Sequence, residues 1–153
     1  MGLDMYLYGR KYLSTWGDDA QLHTEISKVT EGIRKGFKVN FITCEAMYWR
    51  KANAIHNWFV KNVQDGQDDC GHYAVTQADL QNLLDVVTEV LDDHSKAHEL
   101  LPTQSGFFFG NTEYGDWYFQ DLQHTKDSLT NLLSKFEEGE IGWDWTFEYH
   151  SSW

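Results

Sequence analysis

Residues 143–149 read WDWTFEY. Trp143, Trp145, Phe147 and Tyr149 alternate with Asp144, Thr146, Glu148 and the following His150, the period of a strand with one aromatic face. The same period stands at the other end of the chain, where Leu3, Met5 and Leu7 alternate with Asp4, Tyr6 and Tyr8. Between these two strands the pattern is mostly helical. Thr76 opens the clearest helix, with a carboxylate at Asp79 where it favours the helix dipole. Leu80, Leu83, Leu84, Val87, Val90 and Leu91 form its apolar stripe. Pro102, the only proline, bars continuation, so this helix is read to end near His98 to Leu101. A later helix, from Glu113 or Tyr114 to Lys135, follows from Tyr118, Leu122, Thr125, Leu129, Leu132, Leu133 and Phe136.

Two further segments complete the reading. After Gly36, FKVNFITCEA predicts a strand with Phe37, Val39 and Phe41 on one face. From about Trp49 the spacing of Ala52, Ile55, Phe59 and Val63 predicts a helix that stops at Asp65-Gly66. A short helix around residues 19–33 and an extended piece over 72–75 fill the gaps. The fold class expected is α+β: one domain spanning 1–153, with a small antiparallel or mixed sheet of about three or four strands packed with about three helices.

A chain of 153 residues suits one domain with a sizeable core. Aromatics at 16% indicate that rings build much of that core. No apolar run approaches the roughly 18 residues of a membrane-spanning helix. Asp4 precedes any basic residue and no small-residue cleavage site follows, so the N-terminus does not read as a signal peptide. A cytoplasmic protein, away from membranes, is expected. Cys44 and Cys70 are too few for a disulfide scaffold. Net charge is -12, which argues against direct binding to nucleic acid. The charge is uneven: residues 1–64 carry nine Lys and Arg against six Asp and Glu, whereas residues 65–153 carry three against eighteen. The acidic part fits either a solvated surface or a face that meets a basic partner.

Candidate chemistry gathers in two places. In EAMYWRKANAIH, residues 45–56, Arg50 and Lys51 fall in or before the first helical turn, where free backbone N–H groups attract anions. Tyr48 and Trp49 beside them offer planar stacking surfaces. In LPTQSGFFFGNTEYGDWY, residues 101–118, aromatic density alternates with Gln104, Ser105 and glycines, the composition of a shaped, partly apolar pocket. Gly106 lets the backbone approach closely, and Phe108 and Tyr114 supply walls. Segment 102–110 is expected to lie against segment 48–51 as one concave surface that binds a polar planar small molecule. The alternative reading is a small hydrolase or transferase using Glu45, His56 or Cys70 as acid, base or nucleophile. Cys70 with His72, and His94 with His98, have spacings found among metal ligands but complete no set, and no nucleotide, phosphate or zinc motif is present. No metal or cofactor is expected. Apolar strand edges allow a homodimer.

The opening MGLDMYLY, the central YWRKANAIHNWFV with DDCG after it, LLPTQSGFFFG and the final YHSSW carry a resemblance. They are similar to a family of small uncharacterised proteins encoded by tailed phages and prophages. The likeness covers most of the chain except roughly residues 14–35 and names no activity. It implies an accessory role in the host bacterium, such as binding a host protein or a small molecule.

Overall fold

In the computed structural model, which describes residues 2–153, four strands form one antiparallel sheet. They are β1 (Asp4–Tyr12), β2 (Phe41–Arg50), β3 (His72–Val75) and β4 (Trp145–Ser152), in the order β2-β1-β4-β3. The two terminal strands are partners at the centre, Leu7 opposite Tyr149 and Met5 opposite Ser151. Six helical segments accompany them: α1 (Ala20–Val29), α2 (Glu31–Arg34), α3 (Asn53–Asn62), α4 (Gln77–Asp92), α5 (Ala97–Leu100) and α6 (Asp116–Glu137). The fold is α+β, and no helix among the described residues is long and apolar enough to cross a membrane.

The alternation at both termini sets which face meets the helices. Leu3, Met5, Leu7, Phe147 and Tyr149 are buried together with Ile55 and Phe59 of α3, Leu83 and Val87 of α4, and Leu122 and Leu129 of α6. Phe59 stacks flat on Tyr149 with ring centroids 3.9 Å apart. Removing side chains of this size from water contributes about 1.5–3 kcal/mol each. The residues between them point the other way. On that second face His72, His150, Tyr6 and Tyr48 stand in register as one row of rings across all four strands.

Helix α4 begins as read: the Thr76 hydroxyl accepts from the Asp79 N–H, and the Asp79 carboxylate accepts from the Thr76 N–H. It ends earlier than Pro102 requires. Asp93 turns extended and its carboxylate accepts from the Ser95 N–H, which starts a new short turn and then α5. The second strand also differs from the reading of 37–46. Phe37 lies exposed outside it and Phe41 is half exposed, while Met47 and Trp49 supply the buried side chains. A bulge explains the altered register: pairing passes from Leu7 with Met47 to Tyr8 with Glu45, leaving Ala46 as the extra residue. Trp49 and Arg50 still pair with β1, so α3 begins only at Asn53. Trp143 stands outside β4 in solvent.

Candidate functional site

The link between β2 and α3 is two residues long, Lys51 and Ala52. Lys51 turns through a left-handed conformation, φ 59°. Its N–H donates to the Leu3 carbonyl (2.7 Å) and its carbonyl accepts from the Asn53 N–H (2.8 Å). The tight corner throws Asn53 inward. Its Nδ2 donates to the carbonyls of Phe109 (3.1 Å) and Asn111 (2.8 Å), and its Oδ1 accepts from the Gln104 N–H (3.1 Å). One turn later Asn57 Nδ2 donates to the Pro102 carbonyl (2.9 Å). These two amides hold the loop after Pro102 against the start of α3. Tyr118 secures its beginning by donating from its hydroxyl to the Leu101 carbonyl. Gly110, at φ 90°, passes so close that a Cβ there would lie 3.3 Å from the Lys51 Cβ, a conformation and an approach that suit glycine.

A cleft of about 230 Å³ opens where loop, corner and α6 meet. Arg50, Lys51 and residues 52–55 form one side, Thr103, Gly110, Asn111 and Glu113 another, and Trp117, Asp121 and Leu122 of α6 the third. The Arg50 side chain is mostly in solvent, and its one ion-pair partner among the described residues is Asp4 at 4.0 Å. Lys51 has no carboxylate within ion-pair distance among the described residues. Helix α3 enters the cleft uncapped. Ala52 offers no side-chain acceptor, and Asn53 is committed to the loop. Among the described residues the N–H groups of Ala54 and Ile55 therefore keep no protein acceptor. Ala54 and Ile55 are themselves buried, so these first-turn donors and the positive end of the helix dipole favour an anion from beneath the cleft surface.

Asp121 faces this site from α6. Burial lifts its carboxyl to about 6, and the nearby His124 acts in the opposite direction. Among the described residues no hydrogen bond to the carboxylate offsets that burial. A half-buried carboxylate without a donor is unfavourable to the fold and suited to a ligand that brings one. Asp121→Asn is therefore expected to raise the midpoint of urea unfolding at pH 7.5. An unchanged or lower midpoint would show that the carboxylate is already satisfied.

The expected concave surface forms, but from different side chains. Of the residues proposed to touch ligand, Arg50 and Lys51 line the cleft and Tyr48, Trp49, Gln104, Ser105, Gly106, Phe108 and Tyr114 do not. Trp49 is buried, its Nε1 donating to the Thr125 hydroxyl (2.8 Å). Tyr48 points to the opposite sheet face and donates from its hydroxyl to Asp4. Gln104 reaches toward Asp68, Ser105 is exposed, and Tyr114 accepts from the Thr103 N–H. Phe107 and Phe108 pair with each other outside, and only Phe109 enters the core. Its ring packs onto Gly106, where a Cβ would clash with it at 2.6 Å. The stacking surface at the cleft is Trp117, exposed at its rim.

None of Glu45, His56 and Cys70 lines the cleft. Glu45 is exposed on β2, and Cys70 occupies a left-handed turn before β3. His56 is wholly buried, Nδ1 2.8 Å from the Tyr149 hydroxyl and Nε2 3.1 Å from Asp68. A carboxylate accepts, so Nε2–H donates to Asp68 and Nδ1 accepts from Tyr149. Trp153 also donates to Asp68 (3.1 Å). Burial pushes the His56 pKa down despite Asp68 and the Tyr149 pKa well up, so both are neutral, mutually satisfied core groups. His94 stacks on Phe119 while His98 leans on Tyr114. No group of three metal-ligating side chains gathers among the described residues.

No family model, curated protein or solved structure matches this chain.

Proposed function

We propose that this protein is a non-enzymatic binding protein that takes a small planar anion into the cleft between α3, α6 and the loop after Pro102. The single observation behind it is the convergence of the uncapped α3 N-terminus, Arg50 and Lys51 on one wall, with donor-free Asp121 opposite. An anionic group of the ligand sits over the α3 N-terminus beside the two cations. Its planar part stacks on Trp117, and a polar N–H or O–H reaches Asp121. At about 230 Å³ the cleft is below the roughly 300 Å³ lower end of drug-sized pockets, which favours a metabolite over a peptide. Catalysis is the weaker reading because His56 has both nitrogens engaged in the core and Cys70 and Glu45 lie elsewhere. The resemblance to phage and prophage proteins supports an accessory role, in which capturing the molecule withholds it from the bacterial host.

Calorimetric titration with a nucleoside monophosphate, an aromatic carboxylate and inorganic phosphate tests this. Binding of at least one planar anion is expected, tighter than phosphate. The double substitution Arg50→Ala with Lys51→Gly should weaken it by tenfold or more, about 1.4 kcal/mol. Glycine at 51 relieves the left-handed strain, so the fold should not suffer. Heat from none of the planar anions, or a ligand returned chemically changed, would defeat the proposal.

A further inference from the structure

Residues 14–40 leave the sheet between β1 and β2 and bury almost nothing. No residue of α1 or α2 is buried, yet Leu22, Ile26, Val29 and Ile33 recur at helical spacing across both. Val29 is 85% exposed, Ile33 79% and Phe37 76%. Single exposed apolar residues are ordinary, but a run of them on one protruding element marks a docking surface. Beside the run lies a shallow, open groove of about 520 Å³ lined by Ile26, Ile33, Val39 and Phe41 together with Arg34 and Lys38. Residues 14–40 as a whole balance Lys28, Arg34, Lys35 and Lys38 against Asp18, Asp19, Glu25 and Glu31, but the lining of the groove itself carries Arg34 and Lys38 and no carboxylate.

The turn that follows α6 has the complementary character. It reads EEGEIGWD over residues 137–144, with Glu137, Glu138 and Glu140 in solvent and Trp143 97% exposed. The most exposed tryptophan in the described chain therefore sits in an acidic turn and touches almost nothing of its own molecule. Lys11 holds Asp19 at the root of the protrusion and Asp144 at the end of the turn. Both features thus spring from the same end of the sheet.

We infer that a second copy of this chain docks there, as a two-fold symmetric dimer in which each Trp143 enters the other's Ile26–Phe41 groove. Glu138 and Glu140 then meet Lys35 and Lys38 of the partner. Because groove and turn share one end, one axis makes the contact twice, and the isologous interface closes without leading to fibres. Trp and a complementary rim are what a small interface needs for its anchor and its register. The decisive argument for a second copy is that the complementary charge lies on this same chain. An anionic lipid surface would attract the basic rim but be repelled by the net charge of -12.

Sedimentation velocity across micromolar concentrations tests the dimer. The wild type is expected to dimerise, more weakly as salt rises, and Trp143→Ala should weaken association at least tenfold. Lys35→Glu with Lys38→Glu should be monomeric, as should Glu138→Lys with Glu140→Lys. Mixed together, these two reversed proteins should form a heterodimer, because both contacts are again between opposite charges. All of these side chains are exposed, and circular dichroism checks that each variant is folded. A wild type that stays monomeric overturns the inference, including one that instead binds vesicles of anionic lipid. So does a dimer indifferent to Trp143→Ala and to both charge reversals.

Discussion

Asn53→Asp is expected to destabilise the protein by about 3 kcal/mol or more, the largest effect of any polar substitution in the chain. Asn53 is buried and makes three hydrogen bonds, two donated from Nδ2 to the carbonyls of Phe109 and Asn111. Aspartate occupies the same volume but presents oxygen to both carbonyls. Two attractions become two repulsions, and a charge is left in a buried place. Only the bond from the Gln104 N–H to Oδ1 survives. Asn57→Asp at the next turn loses a single bond, to the Pro102 carbonyl, and should cost markedly less. Urea unfolding of both variants measures the difference. A loss under about 1 kcal/mol for Asn53→Asp would mean that the loop is held by its apolar contacts, chiefly Phe109, rather than by the amide.

His56→Ala is the second large expected effect, about 3 kcal/mol or more. It empties a ring-sized space beside Phe109 and Tyr149 and leaves the buried Tyr149 hydroxyl without its acceptor. The histidine also gives the fold a pH dependence. Its folded pKa lies below the ordinary 6.5 because of burial. Above that value both folded and unfolded chains are neutral at this residue, so the stability is fully present. Below it the unfolded chain takes up a proton that the folded one resists, and stability is lost as pH falls toward the folded pKa. Asp121 acts in the opposite sense. Raised from 3.8 to about 6, it takes up a proton first in the folded state, so stability is gained as pH falls between those values. The two slopes oppose each other in the wild type. Asp121→Asn should therefore lose stability more steeply than the wild type between pH 6 and pH 4, whereas His56→Phe should lose it less steeply. Parallel slopes in all three proteins would contradict the assignment of both groups.

Much of this architecture could be read from periodicity, and the failures have physical causes. The terminal strands, the capping box at Thr76 and the apolar stripe of α6 are local patterns, and each forms where local chemistry favours it. The second strand starts later than its alternation predicts because its buried positions depend on a bulge at Ala46, which no propensity marks. Arg50 and Lys51 were legible as a cationic corner, since two basic residues ahead of a helical stripe have few structural uses. The partners they face were not legible. Asp121 is one carboxylate among many on α6, and only packing shows that it is half buried without a donor. The phenylalanines read as pocket walls fill other roles, one in the core and two outside, because sequence does not reveal which way a loop turns its rings. Asn53 and Asn57, four apart on one face of α3, are the pair that fastens that loop, and their spacing is visible in the sequence.

The cleft is tested most directly by the backbone amide resonances of Ala54 and Ile55 during titration with a nucleoside monophosphate. Both should shift together with the Trp117 indole N–H, saturate at one equivalent, and cease to shift in the Arg50→Ala and Lys51→Gly double variant. Ligand-induced shifts that cluster elsewhere, or amides at 54 and 55 that stay unmoved at saturation, would contradict a binding site at the start of α3.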